Sequence, residues 1–160
     1  MQTQTCCFTG HRKIPESEYP EIQKRLEEEI INLIRQGVTE FRAGGALGFD
    51  TMAALAVLKL KKKFPRVRLI LVLPCWGQPD KWSEDDRERY AMIRVQADEV
   101  IYTSWLYQNN CMQKRNYRLV EGSDFCVCYL TKTTGSTAYT VKYAKLNDLR
   151  VENLAPNAIS

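Results

Sequence analysis

The sequence predicts an α/β domain with one mostly parallel sheet of about six strands. Short apolar runs typical of buried strands alternate with helical patterns about six times along the 160 residues, and the connections between them are short. The clearest strand spans residues 67–73, V-R-L-I-L-V-L, a continuous branched-aliphatic run. Such a run is typical of a strand in the centre of a parallel sheet that is covered on both faces.

Two strand–helix pairs open the chain. Residues 5–9 form a short apolar run that predicts a buried strand. Gly37 ends the helix that follows, and the apolar face of this helix comprises Ile22, Leu26, Ile30, Leu33 and Ile34. The second strand, 38–41, leads through a glycine-rich stretch into a helix from about 51 to 63, which Pro65 closes.

The same alternation continues to the end of the chain. Pro74 stops the third strand, and Ser83 with Asp86 makes a capping-box-like start for a charged helix with three inward-facing residues, Tyr90, Ile93 and Ala97. The remaining predicted elements are a strand at 99–102, a helix at about 110–121, a strand at 124–130, a helix at about 137–146 and a strand near 150–154.

Length and composition indicate one domain over residues 1–160. Apolar content of 44% and charged content of 26% are ordinary for a globular protein, and no window approaches the ~18 consecutive apolar residues of a membrane span. The N-terminus lacks the features of a signal peptide, so we expect a cytoplasmic protein without a membrane partner. The six cysteines include no C-x-x-C pair and are interpreted as small buried residues; with a single histidine, no metal site is expected.

The formal charge of +4 is mild and has one local concentration, a basic run of Lys59, Lys61, Lys62, Lys63, Arg66 and Arg68. These lysines fall at the end of a predicted helix, where cations complement the helix dipole. A solvated helix end explains them. Nucleic-acid binding would require a larger basic footprint or interleaved aromatic residues, so nucleic acid is not an expected partner.

The stretch 42–50, R-A-G-G-A-L-G-F-D, lies at a strand-to-helix junction. Glycine lets the backbone approach a ligand closely, and a helix N-terminus offers free N–H groups to an anion. The spacing G-G-x-x-G-x-D matches neither the dinucleotide fingerprint nor the Walker A loop. Two interpretations remain open for this stretch, a phosphate site and a tight turn that binds no ligand.

In open α/β sheets, ligands bind at the carboxyl ends of the strands, and three further loops there carry candidate residues. Thr9-Gly10-His11-Arg12 offers an imidazole and a guanidinium fork, or forms a turn with both side chains exposed. Trp76 and Trp82 could stack on a nucleobase with Gln78 reading a polar edge, or one indole covers the core. Residues 133–137, T-T-G-S-T, precede a helix and form a natural second phosphate cradle.

Two other positions carry polar groups of interest. Asp50 begins a predicted helix, where its carboxylate can cap the first turn, contact a ribose hydroxyl or act as a general base. Arg115-Asn116 lies on a helix whose other face is apolar. Arg115 reaches a ligand if this helix borders the binding cleft and is otherwise a solvated surface residue.

Taken together, the motifs T-G-H-R, G-G-A-L-G-F-D, P-C-W-G-Q, K-R-N-Y-R-L-V-E-G-S-D and T-G-S-T resemble one family over almost the whole chain. They are similar to the YpsA-like (DUF1273) group of bacterial and phage proteins in the SLOG superfamily, relatives of the LOG phosphoribohydrolases and of DprA. The resemblance implies a Rossmann-like, three-layer sandwich that binds a nucleotide or nucleotide-derived ligand, such as an ADP-ribose-like signal. It implies a homodimer by analogy with LOG relatives, and it leaves the cofactor unspecified.

The resemblance places Gly44, Gly45 and Gly48 at the phosphates, with residues 134–137 opposite. The complete set of predicted ligand-binding residues is Thr9, Gly10, His11, Arg12, Gly44, Gly45, Ala46, Gly48, Asp50, Pro74, Trp76, Gln78, Arg115, Asn116, Thr134, Gly135, Ser136 and Thr137.

The chain departs from the hydrolytic members of the superfamily at one motif. Their pattern P-G-G-x-G-T-x-x-E contains an active-site glutamate, but Tyr139 and Thr140 stand where acidic residues are expected here. No catalytic residue is therefore assigned. The leading interpretation is a nucleotide-binding sensor or an enzyme of unspecified reaction; the alternatives are a LOG-like nucleoside-monophosphate phosphoribohydrolase and a DprA-like single-stranded DNA binder.

Overall fold

The computed structural model describes residues 4–156, which form one six-stranded sheet flanked by five helices. The strands are β1 (Gln4–Gly10), β2 (Val38–Ala43), β3 (Arg68–Leu73), β4 (Glu99–Tyr102), β5 (Phe125–Tyr129) and β6 (Arg150–Asn153). The helices are α1 (Tyr19–Arg35), α2 (Phe49–Lys61), α3 (Glu84–Gln96), α4 (Cys111–Val120) and α5 (Ser136–Leu146).

Every neighbouring pair of strands is parallel, in the order β4-β3-β2-β1-β5-β6. The predicted α/β class and strand number are confirmed. The predicted place of the clearest strand is wrong, because β3 lies between β2 and β4, one strand from the edge, and β1 and β2 occupy the centre. A continuous apolar run indicates only that both faces of a strand are covered. β3 is covered on both faces although it is not a central strand.

The helices form two outer layers. Residues of α1, α2 and α3 pack with one face of the sheet, where Phe8, Phe41 and Leu69 are fully buried. Residues of α4 and α5 pack with the other face, around Cys7 and Cys126. Successive side chains of a strand point to opposite faces, so β1 contributes to both clusters. This three-layer arrangement is the Rossmann-like sandwich that the resemblance implied.

The order of the strands creates a crevice beside β1. From β1 to β4 the chain adds each strand on the same side, and it then passes through α4 on the other face to place β5 next to β1. The helices that follow β1 and β5 consequently lie on opposite faces of the sheet. This is a topological switch point, where open α/β sheets bind ligands outside the carboxyl ends of the strands.

Local predictions agree with the structure except at one helix start. The Ser83 hydroxyl accepts a hydrogen bond from Asp86 N–H at 3.2 Å, as the capping box predicts. Helix α2 begins at Phe49, two residues before the predicted start, so Gly48 is its N-cap and Asp50 lies inside its first turn. Asp50 does not cap the helix. Its carboxylate instead accepts a hydrogen bond from Ala46 N–H at 3.3 Å, in the turn that precedes the helix.

The structure agrees with the interpretation of the cysteines as small buried residues and of the basic run as a solvated helix end. All six cysteines are free and buried. In the basic run, Lys59 pairs with Glu27, Lys61 with Asp98, and Arg68 with both Glu40 and Glu99. No helix among residues 4–156 is both long enough and apolar enough to cross a bilayer.

Candidate ligand-binding cleft

A cleft of about 1320 Å³ opens at the carboxyl ends of the strands, at the switch point beside β1. It is larger than the roughly 300–1,000 Å³ of an ordinary small-molecule pocket. Fourteen of the predicted residues line it: Thr9, Gly10, His11, Arg12, Ala46, Asp50, Trp76, Gln78, Arg115, Asn116, Thr134, Gly135, Ser136 and Thr137. The fold thus brings together loops that are up to 128 residues apart in the chain, from 9 to 137.

The floor of the cleft is a buried polar cluster centred on Arg115. Its guanidinium donates to the carbonyl of Gly44 through one terminal nitrogen and to Asn116 Oδ1 through Nε at 2.8 Å. Asn116 in turn donates to the Ser136 hydroxyl at 3.1 Å. Arg115 is only 5% exposed, so it is a cleft residue and not a solvated surface residue. These bonds join α4 to the turn after β2 and to the start of α5.

Asp50 supplies the only carboxylate on this floor within the described residues. Burial raises the pKa of Asp50 to about 6, against the opposing effects of the Arg115 guanidinium, the Ala46 N–H and Arg12. A carboxyl group with a pKa near 6 changes protonation close to neutral pH. It can therefore accept or donate a proton to a bound molecule.

His11 has a structural hydrogen bond in addition to its place in the cleft. Its Nε2 accepts from Thr131 N–H at 2.9 Å, and its own backbone N–H donates to the carbonyl of Tyr129 at 3.3 Å. Burial, with a smaller effect of Lys132, lowers the pKa of His11, so the imidazole is neutral at pH 7. Because Nε2 is occupied, the ring offers a ligand only the proton on Nδ1.

The turn before α5 is open to the cleft. Gly135, the N-cap of this helix, has φ +103° and nothing within 4 Å of the position that a Cβ would occupy. The N–H groups of residues 136–138 find no acceptor within residues 4–156. Ser136 and Thr137 add hydroxyl groups at the same place. Free donors at a helix N-terminus are the arrangement that binds an anion.

The turn before α2 is closed, and the predicted glycines do not line the cleft. A Cβ on Gly48 would lie 2.2 Å from the carbonyl oxygen of Arg12, and one on Gly45 would lie 2.5 Å from the Leu73 side chain. A Cβ on Gly44 would lie 2.7 Å from the Arg115 guanidinium. The first N–H of α2, from Phe49, already donates to the carbonyl of His11 at 3.1 Å. These glycines serve close packing of the turn, while Ala46 and Asp50 are its cleft residues.

An aromatic wall, formed by Trp76, Trp82 and Trp105, is the side of the cleft opposite the start of α5. Trp76 stacks on Tyr102 with ring centroids 4.1 Å apart, and Trp105 lies parallel to Trp76 at 6.2 Å. Trp76 and Trp105 are 49% and 76% exposed, so much of their aromatic surface is free. Trp82 packs edge-on against Tyr90 at 5.4 Å and also lines the cleft.

Several cleft residues were not predicted. They are Gly77, Asp80, Lys81, Trp105, Leu106, Tyr107, Met112 and Lys132, together with Trp82, which was considered only as a stacking residue. The segment W-L-Y at 105–107 follows β4, and the rule that directs attention to carboxyl ends of strands applies to it equally. An exposed apolar triplet between polar residues was the available signal. Pro74, by contrast, is buried at the end of β3 and does not line the cleft.

The positions that replace the acidic motif offer no carboxylate. Thr140 is buried, and its hydroxyl donates to the carbonyl of Ser136 at 2.9 Å inside α5. Tyr139 points outward and is 70% exposed. Between residues 4 and 156, no group of three or more His, Cys, Asp or Glu side chains is arranged to hold a metal ion.

Comparison with known proteins gives consistent family and fold matches. The model of the YpsA family, described as the YspA SLOG family, matches residues 7–155. A UPF0398 protein of Halalkalibacterium halodurans is 35% identical over 127 residues, which cover 78% of this chain and 67% of that protein. The SPbeta prophage-derived protein YoqJ of Bacillus subtilis is 29% identical over 138 residues, covering 76% of this chain and 81% of YoqJ.

Solved structures with this fold include two DNA processing proteins. DprA from Streptococcus pneumoniae superimposes with a TM-score of 0.66 at 13% identity, over 93% of this chain and 49% of DprA. DprA from Helicobacter pylori gives a TM-score of 0.63 at 13% identity, over 92% of this chain and 63% of that protein. The chain spans about half the length of the first and under two thirds of the second, so the likeness concerns one fold within longer proteins. From the family match over residues 7–155 and the similarity to the UPF0398 proteins, this chain belongs to the YpsA family of SLOG proteins.

Proposed function

We propose that the cleft binds a nucleotide or a nucleotide-derived small molecule, with a phosphate at the N-terminus of α5 and the base against the aromatic wall. One observation carries the proposal: a single cleft contains the open Gly135-Ser136-Thr137 turn and the exposed faces of Trp76 and Trp105. A phosphate binder at one end and stacking surfaces at the other match the two chemically distinct parts of a nucleotide.

At the phosphate end, the donors are fixed before the ligand arrives. The Ser136 hydroxyl accepts from Asn116 Nδ2, which leaves the Ser136 proton free to point into the cleft. Asn116 is itself oriented by its bond from Arg115. An anion at this place gains the free N–H groups, the hydroxyl protons and the positive end of the helix dipole together. The cluster that holds Ser136 in place therefore supports the binding role of α5.

At the other end, the aromatic wall offers a base both stacking and a hydrogen-bond partner. Aromatic stacking on a base contributes about 1–3 kcal/mol. Gln78 lies in the same loop as Trp76 and donates only a long 3.5 Å bond, to the Tyr90 hydroxyl, so its amide oxygen is available to a ligand. Asp50 and Arg12 line the part of the cleft between the two ends, where a ribose would lie.

The test is a thermal-shift panel of AMP, ADP, ADP-ribose, NAD and cyclic AMP on wild type and two variants. Ser136→Asp places a negative charge at the first position of α5, where it favours the helix but repels a phosphate. Gln96→Glu adds the same charge at the exposed C-terminal end of α3, at the amino ends of the strands and thus at the end of the sheet away from the cleft. We expect a ligand-specific rise in melting temperature for wild type and Gln96→Glu, and an affinity about tenfold or more weaker for Ser136→Asp.

Two outcomes contradict the proposal. One is the lack of a shift with every ligand in the wild type. The other is an equal shift in wild type and Ser136→Asp, which would place the ligand away from α5.

A second candidate function is hydrolysis of the N-glycosidic bond of a nucleoside monophosphate, and the observation that favours it is Asp50. This carboxyl group is buried on the cleft floor beside Arg115, and burial raises its pKa to about 6. Such a group can protonate a leaving base or activate water, as the missing glutamate would in hydrolytic relatives. We expect wild type to release free base from AMP or CMP, and we expect Asp50→Asn to release none. A folded wild type that binds AMP but releases no base excludes this candidate and leaves the binding proposal standing.

A further inference from the structure

A second hollow of about 630 Å³ adjoins the cleft on the side of β1 and α1. It is lined by His11, Arg12, Lys13, Pro15, Glu18, Tyr129, Thr131, Lys132 and Pro156. We call it the basic hollow. His11, Arg12 and Lys132 line both the cleft and the basic hollow, so the two spaces are continuous. Lys13 and Glu18 line only the basic hollow.

Among residues 4–156, the cations of the basic hollow have no carboxylate partner. Arg12, Lys13 and Lys132 are exposed, and none of them forms an ion pair with another residue of the 4–156 span. The lysines at the end of α2 differ, because Lys59 and Lys61 are paired with Glu27 and Asp98. Three cations that converge without a protein partner repel one another unless an anion joins them.

His11 links the two chain segments that carry these cations. Its Nε2 accepts from Thr131 N–H at 2.9 Å, which ties the segment after β1 to the segment after β5. Arg12 and Lys13 follow His11 directly, and Lys132 follows Thr131 directly. The hydrogen bond therefore sets the spacing between the two basic segments. The phosphate-binding turn of α5 begins only a few residues beyond Lys132, on the cleft side.

One carboxylate faces the cations across the hollow. Glu18 Oε1 accepts a hydrogen bond from the Tyr129 hydroxyl at 3.0 Å. Burial and the neighbouring Glu18 raise the pKa of Tyr129 to about 12, so this hydroxyl stays a donor and holds Glu18 on its own side. With His11 neutral, three positive side chains face one negative side chain, and the hollow keeps a net positive charge.

We propose that the basic hollow binds a second phosphate group, so that the preferred ligand is a nucleotide with two separated phosphates. This inference rests on the proposed function, in which the first phosphate lies at the N-terminus of α5. A single phosphate there cannot also use Lys13, which is outside the cleft. A nucleoside 3′,5′-bisphosphate and a 5′-phosphorylated dinucleotide both carry the required second anion. The combined size of the two spaces, about 1320 and 630 Å³, also exceeds what a mononucleotide fills.

The experiment measures the affinity of AMP and of the 5′-phosphorylated dinucleotide pApA by calorimetry. The proteins are wild type, Lys13→Ala, Glu18→Gln and the control Lys63→Ala. Lys63 is an exposed lysine beyond the end of α2, at the amino ends of the strands and thus at the end of the sheet away from the hollow, so its removal changes the net charge equally without touching the hollow. Glu18→Gln keeps an oxygen that can accept from Tyr129 while it removes the negative charge.

We expect wild type to bind pApA about tenfold more tightly than AMP at low salt. Lys13→Ala should weaken pApA about three- to tenfold and leave AMP unchanged, and Glu18→Gln should strengthen pApA about twofold. Lys63→Ala should match wild type with both probes. The gain in Glu18→Gln is informative because a variant that merely unfolds cannot bind more tightly.

Equal affinities of wild type for AMP and pApA would overturn the inference while leaving the proposed function intact. Equal losses of both probes in Lys13→Ala would overturn the inference and also the placing of the first phosphate at α5, since they would put that phosphate in the hollow. Failure of both probes to bind would overturn the inference, and together with the lack of a shift across the whole thermal-shift panel it would reject the proposed function itself. An affinity for oligothymidylates that rises steadily up to about 20 nucleotides would replace the two-phosphate ligand by a nucleic-acid strand.

Discussion

The turns before α2 and α5 look alike in the sequence, yet one is filled and the other is open. Both follow a strand, contain glycine and precede a helix. In the turn before α2, Gly44, Gly45 and Gly48 meet side chains and backbone from four other segments at distances that exclude a Cβ. In the turn before α5, Gly135 meets nothing within 4 Å. A glycine can therefore admit a neighbour from the same protein or leave room for a ligand, and local sequence does not distinguish the two.

The difference has a consequence for where anions bind. At the start of α2 the first helix N–H is used internally, since Phe49 N–H donates to the carbonyl of His11, and in the preceding turn Ala46 N–H donates to the Asp50 carboxylate. A buried carboxylate there also opposes a phosphate. At the start of α5 the donors are free and no carboxylate intervenes. The two turns thus have different roles in the cleft: the first builds a rigid floor that carries Asp50, and the second has the free donors of the proposed anion site.

The largest expected effect comes from filling the closed turn. Gly48→Ala places a methyl group 2.2 Å from the Arg12 carbonyl oxygen at a φ of +79° that alanine rarely adopts. We expect a loss of about 3–5 kcal/mol in the free energy of unfolding, because backbone strain and a steric clash add. Urea denaturation monitored by far-UV circular dichroism measures it. A loss under about 1 kcal/mol would show that the closed turn tolerates a side chain and would remove the contrast between the turns.

The next largest effect is expected for Asp50→Asn, which should gain stability in a pH-dependent way. The pKa of Asp50 is raised from 3.8 to about 6, so the stability that the protonated group contributes is present below pH 4 and is lost as the pH rises to 6. The rise in the pKa of Asp50 from 3.8 to about 6 corresponds to about 3 kcal/mol. Asp50→Asn avoids this loss and keeps an oxygen that can accept from Ala46 N–H.

We therefore expect Asp50→Asn to match wild type near pH 4 and to exceed it in stability by up to about 3 kcal/mol above pH 6. Urea titrations at a series of pH values give the difference directly. If the variant is less stable than wild type at pH 7, the charged form of Asp50 is favoured by Arg115 more than burial opposes it. If the expected gain is found, the carboxylate of Asp50 lowers the stability of the wild type at neutral pH, which is typical of a functional residue.

The smallest effect is expected in the open turn. Gly135→Ala meets no atom, so only the cost of φ +103° remains, about 1–2 kcal/mol in a loop that can relax. The same urea measurement applies, beside Gly48→Ala. For Gly135→Ala, the loss in the free energy of ligand binding should exceed the loss in the free energy of unfolding, because the methyl group enters the proposed anion site. An equal loss of stability in both variants would contradict the distinction between a packed and an open glycine.

Much of the fold was predictable because hydrophobic periodicity is a local property. The apolar runs and the helical face from Ile22 to Ile34 marked strands and helices, Gly37 marked a helix end, and the alternation of elements implied a parallel sheet. The family resemblance is likewise confirmed by the match over residues 7–155. The start of α2 was missed because Gly48 is the N-cap, and Asp50, which normally signals a cap, bonds to Ala46 instead.

For the cleft residues, only their location at the carboxyl ends of the strands was predictable. That rule led to Thr9, Asp50, Trp76 and Ser136, which the fold brings into one cleft. It could not show that Gly45 packs against Leu73, or that Trp105 stands beside Trp76. Those facts depend on segments that are distant in the chain, and no local pattern encodes a contact across 28 or 29 residues.

By itself, the sequence of this protein determined an α/β architecture, its parallel sheet and its membership of the YpsA family. Only the tertiary structure decided which glycine turn is open, that Arg115 is buried on the cleft floor, and that three cations without an ion-pair partner in the described part of the chain lie beside His11. The physical reason is that secondary structure follows from neighbours along the chain. An open cleft is defined by the atoms that distant segments place, or do not place, around it.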